Sequence, residues 1–135
     1  MAFLFPQKVL FKHCDPAGIV FYPRYFEMIN DCVEAFFDQV LDDPFEVLLR
    51  SAGIPTAEIQ TRFHAPSRHG DALVLTLTGN RVGRKSFTLD IEATCGDELR
   101  FRARSTLVYT DANGQSQPWS HALKSKLDAF TGAPL

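Results

Sequence analysis

The sequence has 135 residues, 45% of them hydrophobic, with 12 phenylalanines and a formal net charge of -2. That length reads as one domain, residues 1–135, and the apolar fraction excludes a disordered chain. The charge offers nothing global to nucleic acid or to an anionic membrane.

Cys14, Cys32 and Cys95 are odd in number, widely spaced and free of any CxxC. They indicate neither a disulfide framework nor a zinc site. The first ten residues are partly apolar but lack the basic region and cleavage site of a secretory signal. No apolar run approaches the ~20 residues of a membrane span. The expectation is a soluble, cytoplasmic protein with reduced thiols.

Phe3 to Lys12 mixes apolar and basic residues and predicts a first strand. Asp15-Pro16-Ala17-Gly18 is rich in turn formers. Pro23 then opens the strongest helix signal. Tyr25, Phe26, Ile29, Cys32, Val33, Phe36, Phe37, Val40 and Leu41 recur at helical spacing, and proline suits a first helical turn. A helix of ~18 residues is ~27 Å long, enough to cross a sheet of several strands. Asp42-Asp43-Pro44 ends it, and Phe45 to Arg50 predicts a short second helix closed by Gly53.

After Gly53 the period changes to two. The runs Ala57–Ala65, Leu73–Thr78, Phe87–Cys95 and Leu99–Tyr109 alternate apolar and polar residues, which predicts four half-buried strands. Gly96-Asp97 marks a hairpin, and a turn around Gly83 lies within Asn80 to Lys85. Trp119 to Phe130 predicts a short amphipathic helix. The order favours an α+β fold, one curved antiparallel sheet of about five strands wrapped around one long central helix. One helix does not cover such a sheet, so an exposed edge should seek a second copy.

The residues that suggest chemistry lie in His13-Cys14-Asp15-Pro16-Ala17-Gly18-Ile19-Val20-Phe21-Tyr22-Pro23. An ordinary turn explains Asp-Pro and Gly18. Yet this turn delivers a carboxylate to the start of the most buried helix, where free N–H groups and the helix dipole favour anions. Asp15 there can attack a thioester carbonyl or deprotonate a water, and the Tyr22 N–H can donate to the oxyanion. His13, Cys14 and Asp15 do not make a triad, because alternate residues of an extended segment face opposite ways. Cys14 is expected as a buried thiol; His13 either supports Asp15 or caps the strand end. Arg84-Lys85-Ser86 fits either a solvated turn or a contact to phosphates. Arg100, Arg102 and Arg104 share one strand face, the usual sign of a solvated or intersubunit surface. His64, His69 and Asp71 match no metal spacing, and no P-loop, GxGxxG or nucleophile elbow occurs.

The stretch Asp15 to Pro23, followed by Tyr25, resembles the active-site segment of the 4-hydroxybenzoyl-CoA thioesterase family. Arg84-Lys85-Ser86-Phe87 resembles a second block of that family. The resemblance implies the hotdog fold and hydrolysis of an aromatic or short-chain acyl-CoA, with no metal or redox cofactor. It implies homodimers or homotetramers with pockets between subunits. It assigns Asp15 as nucleophile or general base, the Tyr22 N–H as carbonyl donor, and Arg84, Lys85 and Ser86 to the CoA end. Gly18, Ile19, Val20, Phe21 and Tyr25 fall around the acyl group. Two residues depart from the pattern. Many relatives have an acid in place of His13. The hydroxybenzoyl type has an acid on the long helix where this chain has Asn30, which leaves other aromatic or short acyl groups open. A non-catalytic acyl-CoA binding module, or a hotdog hydratase or dehydratase, is the alternative function.

Overall fold

The computed structural model describes residues 1–135. Strand β1 (Ala2–Lys8) leads through a 3-10 turn (Phe11–His13) into the long helix α1 (Pro23–Gln39). A single-turn helix α2 (Phe45–Leu48) and a two-residue strand β2 (Ala52–Gly53) follow. Then come β3 (Thr56–Phe63), β4 (Ala72–Val82), β5 (Ser86–Cys95) and β6 (Glu98–Val108). The chain ends with β7 (Thr110–Asp111) and helix α3 (His121–Gly132).

Five strands form one antiparallel sheet in the order β1-β4-β5-β6-β3. The period-two pattern sets which face is buried. Phe87, Leu89, Ile91 and Ala93 of β5, with Leu73, Leu75 and Leu77 of β4, point at α1 and are almost wholly buried. Helix α1 answers with Met28, Cys32, Phe36 and Phe37, none with exposed surface. Phe36 is the hub, its ring meeting those of Phe3, Phe37, Phe87 and Phe130. Such aromatic contacts each add about 0.5–1.5 kcal/mol beyond area burial. The sheet therefore wraps the helix in the hotdog arrangement anticipated from the sequence.

Four features differ from the sequence expectation. The first strand stops at Lys8 rather than Lys12, because Val9 is drawn off to pair with Gly70 and Asp71. Gly53 does not close α2; it pairs with Thr110 in the small β2–β7 ladder. Strand β3 does not neighbour β4. It crosses to the far edge beside β6, since β1 already occupies the free side of β4. Finally, α1 is not alone against the sheet. Helix α3 packs over β4, where Gly79 leaves room for Thr131; a Cβ at Gly79 would collide with that side chain.

With α3 over the β4 side, the uncovered part of the sheet is β3. Its inward-facing Ile59 and Phe63 remain 37% and 45% exposed. No strand pairs with its outer edge.

Candidate active site

The segment between β1 and α1 is a short closed hairpin. Asp15 N–H donates to the Ile19 carbonyl at 3.0 Å, and Gly18 N–H donates to the Asp15 carbonyl at 2.9 Å. Gly18 sits at φ +81°, in the left-handed region that favours glycine. Phe21 N–H donates to the His13 carbonyl at 2.9 Å and shuts the base of the loop. Ile19 is partly buried, Val20 is buried, and Phe21 and Tyr22 are about half exposed.

Asp15 is partly buried. Its Oδ1 accepts the Ala17 N–H at 2.9 Å. No side-chain or backbone donor holds Oδ2. Tyr22 is the N-cap of α1. Pro23 has no N–H, and the Arg24 and Tyr25 N–H groups turn back to the Phe21 and Tyr22 carbonyls at 2.8 and 3.1 Å. The Tyr22 N–H alone at this helix start finds no acceptor in the protein. A carboxylate oxygen and an amide hydrogen are thus both free on one short loop. That pairing suits attack on a carbonyl with a donor for the charge that develops.

His13 does not join Asp15. Its imidazole is only 4% exposed, and Nδ1 accepts the Leu10 N–H at 2.9 Å. The bond closes the 3-10 turn on its own N-cap, Leu10, rather than the end of β1 at Lys8. The 3-10 turn accounts for this, because it breaks the alternation that would apply to an extended segment. Cys14 Sγ reaches the Leu10 carbonyl at 3.6 Å, so no triad forms. Burial pushes the Cys32 thiol up to about 12, which removes it as a nucleophile.

Tyr25 is buried, stacked on Phe63 with ring centroids 5.6 Å apart and packed against Phe101 at 4.8 Å. Farther along α1, Asn30 is exposed at the rim of a groove of about 280 Å³. Phe26, Ile29, Val33, Phe45, Ile54 and Ile59 supply its apolar walls.

Arg84 and Lys85 lie at the β4–β5 turn, where Gly83 N–H donates to the Ser86 carbonyl at 2.8 Å. The backbone here is held by the C-terminal segment. Trp119 N–H donates to the Arg84 carbonyl at 3.0 Å, and Trp119 Nε1 donates to the Ser86 carbonyl at 3.0 Å. Tyr109 N–H donates to the Lys85 carbonyl at 2.8 Å. Neither basic side chain has a carboxylate partner. The turn does not meet the Asp15 loop within one chain. Tyr25 packs at Phe101, whereas Ser86 pairs with Val108. The run Phe101–Val108 of β6 rises roughly 23 Å at ~3.3 Å per residue.

A family profile described as "Thioesterase-like superfamily" matches residues 9–127. The chain belongs to that superfamily. A 1,4-dihydroxy-2-naphthoyl-CoA hydrolase from Nostoc punctiforme is 24% identical over 123 residues, covering 87% of this chain and 80% of the relative. The crystal structure of a 1,4-dihydroxy-2-naphthoyl-CoA thioesterase from Synechocystis superposes with a TM-score of 0.86 at 19% identity, covering 94% of this chain and 96% of the other. A mutant 4-hydroxybenzoyl CoA thioesterase complexed with 4-hydroxybenzoyl CoA gives a TM-score of 0.84 at 23% identity, covering 93% and 98%.

In this thioesterase-like chain, one partly buried ion pair is not visible in the sequence pattern. Arg100 does not lie in solvent with Arg102 and Arg104. Its side chain is 11% exposed and ion-paired to Asp71 at 2.7 Å. That pair holds the Asp71 carboxyl below its usual range through the hydrogen bond from Arg100 and a second from the Arg68 backbone. Arg102 and Arg104 behave as expected, paired on the surface with Glu92 and Asp90.

The buried His13 generates a pH dependence. Burial lowers its pKa, Lys12 and Arg24 act in the same direction, and Glu27 and Asp31 oppose them. The unfolded chain takes up a proton near the ordinary imidazole value of about 6.5, before the folded protein does. His13 therefore leaves stability intact above about pH 6.5 and reduces it as pH falls below that value. Loss at Asp71 belongs to a separate window, below about pH 4. Urea midpoints measured from pH 8 to pH 5 should decline for the wild type. His13→Asn should flatten that decline.

Proposed function

We propose that this chain hydrolyses the thioester of an aromatic or short-chain acyl-CoA to the free acid and CoA, with Asp15 as nucleophile or general base. The observation that carries the proposal is the free Asp15 Oδ2 on the same loop as the unpartnered Tyr22 N–H. As nucleophile, Oδ2 bonds to the thioester carbon and the carbonyl electrons move to oxygen. The Tyr22 N–H donates to that oxyanion, worth about 3–4 kcal/mol for one such donor. The intermediate then collapses. The C–S bond breaks and its electron pair leaves on sulfur as CoA thiolate, a fair leaving group because thiols ionise near pH 8.5. Water cleaves the mixed anhydride and restores Asp15. As general base, Asp15 takes a proton from water, and the hydroxide attacks the same carbon.

The groove beside Asn30 supports the acyl assignment. Its walls are apolar and its volume, about 280 Å³, suits a ring or a short chain. Asn30 is neutral and both donates and accepts hydrogen bonds. It matches a ring substituent such as a hydroxyl without requiring a charged one. The relatives named as naphthoyl-CoA and hydroxybenzoyl-CoA enzymes agree with an aromatic acid. Gly18, Ile19, Val20, Phe21 and Tyr25 form the approach to Asp15. His13 serves by holding the turn rather than by proton transfer.

Arg84 and Lys85 bind the CoA phosphates in this proposal, Ser86 lying at the base of their turn. They reach the site from a second copy. If the free edge of β3 pairs antiparallel with the same edge of a partner, the Phe63 end of one chain lies beside the Thr56 end of the other. Thr56 registers with Leu107, next to the Val108–Ser86 pair that carries the basic turn. Such pairing brings the partner's basic turn toward Asp15 and covers Ile59 and Phe63.

A thiol-trapping assay over a panel of acyl-CoAs should show free CoA, most rapidly with aromatic esters; a binding module or a hydratase would release none. In that assay Asp15→Asn should lower kcat by ~10²–10⁴-fold, with substrate binding and melting temperature nearly unchanged. Near-normal turnover by the folded variant would overturn the role of Asp15. Replacing Arg84 and Lys85 by Ala should raise KM with less effect on kcat, and the effect should shrink as salt rises. Sedimentation at micromolar concentration should show no substantial monomer; a fully active monomer would remove the shared site.

A further inference from the structure

The Asp15 loop rests against a second loop that the mechanism above does not use. Residues 64–71 join β3 to β4. Ile19 forms an isolated bridge with Arg68, and the Val20 N–H donates to the Ser67 carbonyl at 2.8 Å. On the other flank, Val9 N–H donates to the Asp71 carbonyl at 2.8 Å, and Gly70 N–H donates to the Val9 carbonyl at 2.8 Å. The segment Ser67–Asp71 therefore grips the Asp15 hairpin both before the 3-10 turn and just ahead of Tyr22.

This segment has no helix or ladder of its own to give it shape. Arg100, from the rigid strand β6, supplies it. Arg100 Nη1 donates to the Pro66 carbonyl at 3.1 Å, to Ser67 Oγ at 3.0 Å and to Asp71 Oδ2 at 2.7 Å. Asp71 Oδ2 also accepts the Arg68 N–H at 2.9 Å. Ser67 is fully buried. Arg100 Nε lies 2.7 Å from Glu98 Oε1, close enough to attract but with no hydrogen bond formed. The Arg100 carbonyl accepts the His64 and Ala65 N–H groups at 2.8 and 3.2 Å, so the loop is tied to the same residue at its entry. One guanidinium nitrogen thus sets the path of the loop from Pro66 to Asp71.

We propose that Arg100 and Asp71 are positioning residues for thioester hydrolysis, fixing Asp15 and the Tyr22 N–H through the Pro66–Asp71 loop. The proposal rests on Asp15 and Tyr22 being the catalytic groups. Neither Arg100 nor Asp71 touches the reacting atoms. Their effect is on the separation of the Asp15 carboxylate and the helix-start donor, where an error of ~1 Å can cost ~10²-fold in rate.

The test is Asp71→Asn, which keeps shape and an acceptor for the Arg68 N–H but removes the charge that holds Arg100. The expected result is a kcat lowered roughly 10- to 100-fold with KM for an aromatic acyl-CoA changed less than about twofold. Hydrogen exchange should quicken at the Val20 N–H while Leu89 in β5 stays protected. A folded Asp71→Asn enzyme with wild-type kcat overturns the proposal. So does a lost kcat accompanied by faster exchange throughout the sheet, the mark of general destabilisation. If Asp71→Asn does not fold, Ser67→Ala removes one Nη1 acceptor more gently and is judged by the same readouts. Asp15→Asn, assayed in parallel, separates the two ideas. Normal turnover there sinks the catalytic assignment itself, whereas an inactive Asp15→Asn beside a normal Asp71→Asn sinks only the clamp.

Discussion

The hydrogen bond from the Phe21 N–H to the His13 carbonyl governs the site. It closes the base of the Asp15 hairpin and uses the amide that precedes Tyr22. Pro23 then contributes no donor, and the amides of Arg24 and Tyr25 fold back onto Phe21 and Tyr22. A helix ordinarily begins with four N–H groups lacking intrahelical partners. Here the local bonding reduces them to one well-placed donor at Tyr22. Asp15 sits on the same short hairpin, and its Oδ1 is fixed by the Ala17 N–H while Oδ2 is left free. One backbone closure therefore lies between both groups of the proposed chemistry.

His13 holds its place through Nδ1 and the Leu10 N–H, an arrangement that needs a neutral imidazole. Toward the other end of α1, ~21 Å from Tyr22 at ~1.5 Å per residue, the aromatic cluster around Phe36 joins β1, α1, β5 and α3 through ring contacts. Helix α3 contributes more than bulk. Its Phe130 closes the cluster, and Trp119 just before it fixes the Arg84–Ser86 backbone. The C-terminal segment thus steadies the basic turn at one end of the sheet, while Arg100 steadies the Pro66–Asp71 loop at the other.

Much of this was legible in the sequence for physical reasons. Strand and helix periods depend on neighbours a few residues away, so α1, β4, β5 and β6 could be read from the spacing of their apolar residues. The Asp15–Pro23 segment was legible because turn formers, a proline and a helix start follow one another directly. What escaped depends on residues far apart in the chain. The alternation of β3 reveals a strand but not that it lies beside β6 at the far edge. Gly79 gives no hint of Thr131. Arg100 shares its alternation with Arg102 and Arg104, and only the fold brings Ser67 and Asp71 over it. His13 stayed open in the sequence for a different reason. A 3-10 turn interrupts the extended segment, and three residues carry too little periodicity to announce it.

In the proposed assembly, strand β3 would link the subunit contact to the site. A lone subunit leaves the outer edge of β3 without a strand partner, and leaves Ile59 and Phe63 partly in water on its inner face. Ile59 is also a wall of the groove beside Asn30. The apolar surface that a second copy would cover is therefore continuous with the surface proposed to hold the acyl group. The same pairing would place a partner's basic turn beside the Phe63 end of β3, which in one chain is separated from its own basic turn by the roughly 23 Å rise of Phe101–Val108. An exposed β-edge is ordinarily a liability that proteins blunt with charge or proline. Here the inward row of β3 carries Ala57, Ile59, Thr61 and Phe63, which neither repel nor block a partner. The charged residues, Glu58 and Arg62, face the opposite side, where Arg62 registers with Arg102. This division leaves the inner row apolar, so in the proposed dimer the edge that costs the isolated subunit stability is the one from which a complete site would be built.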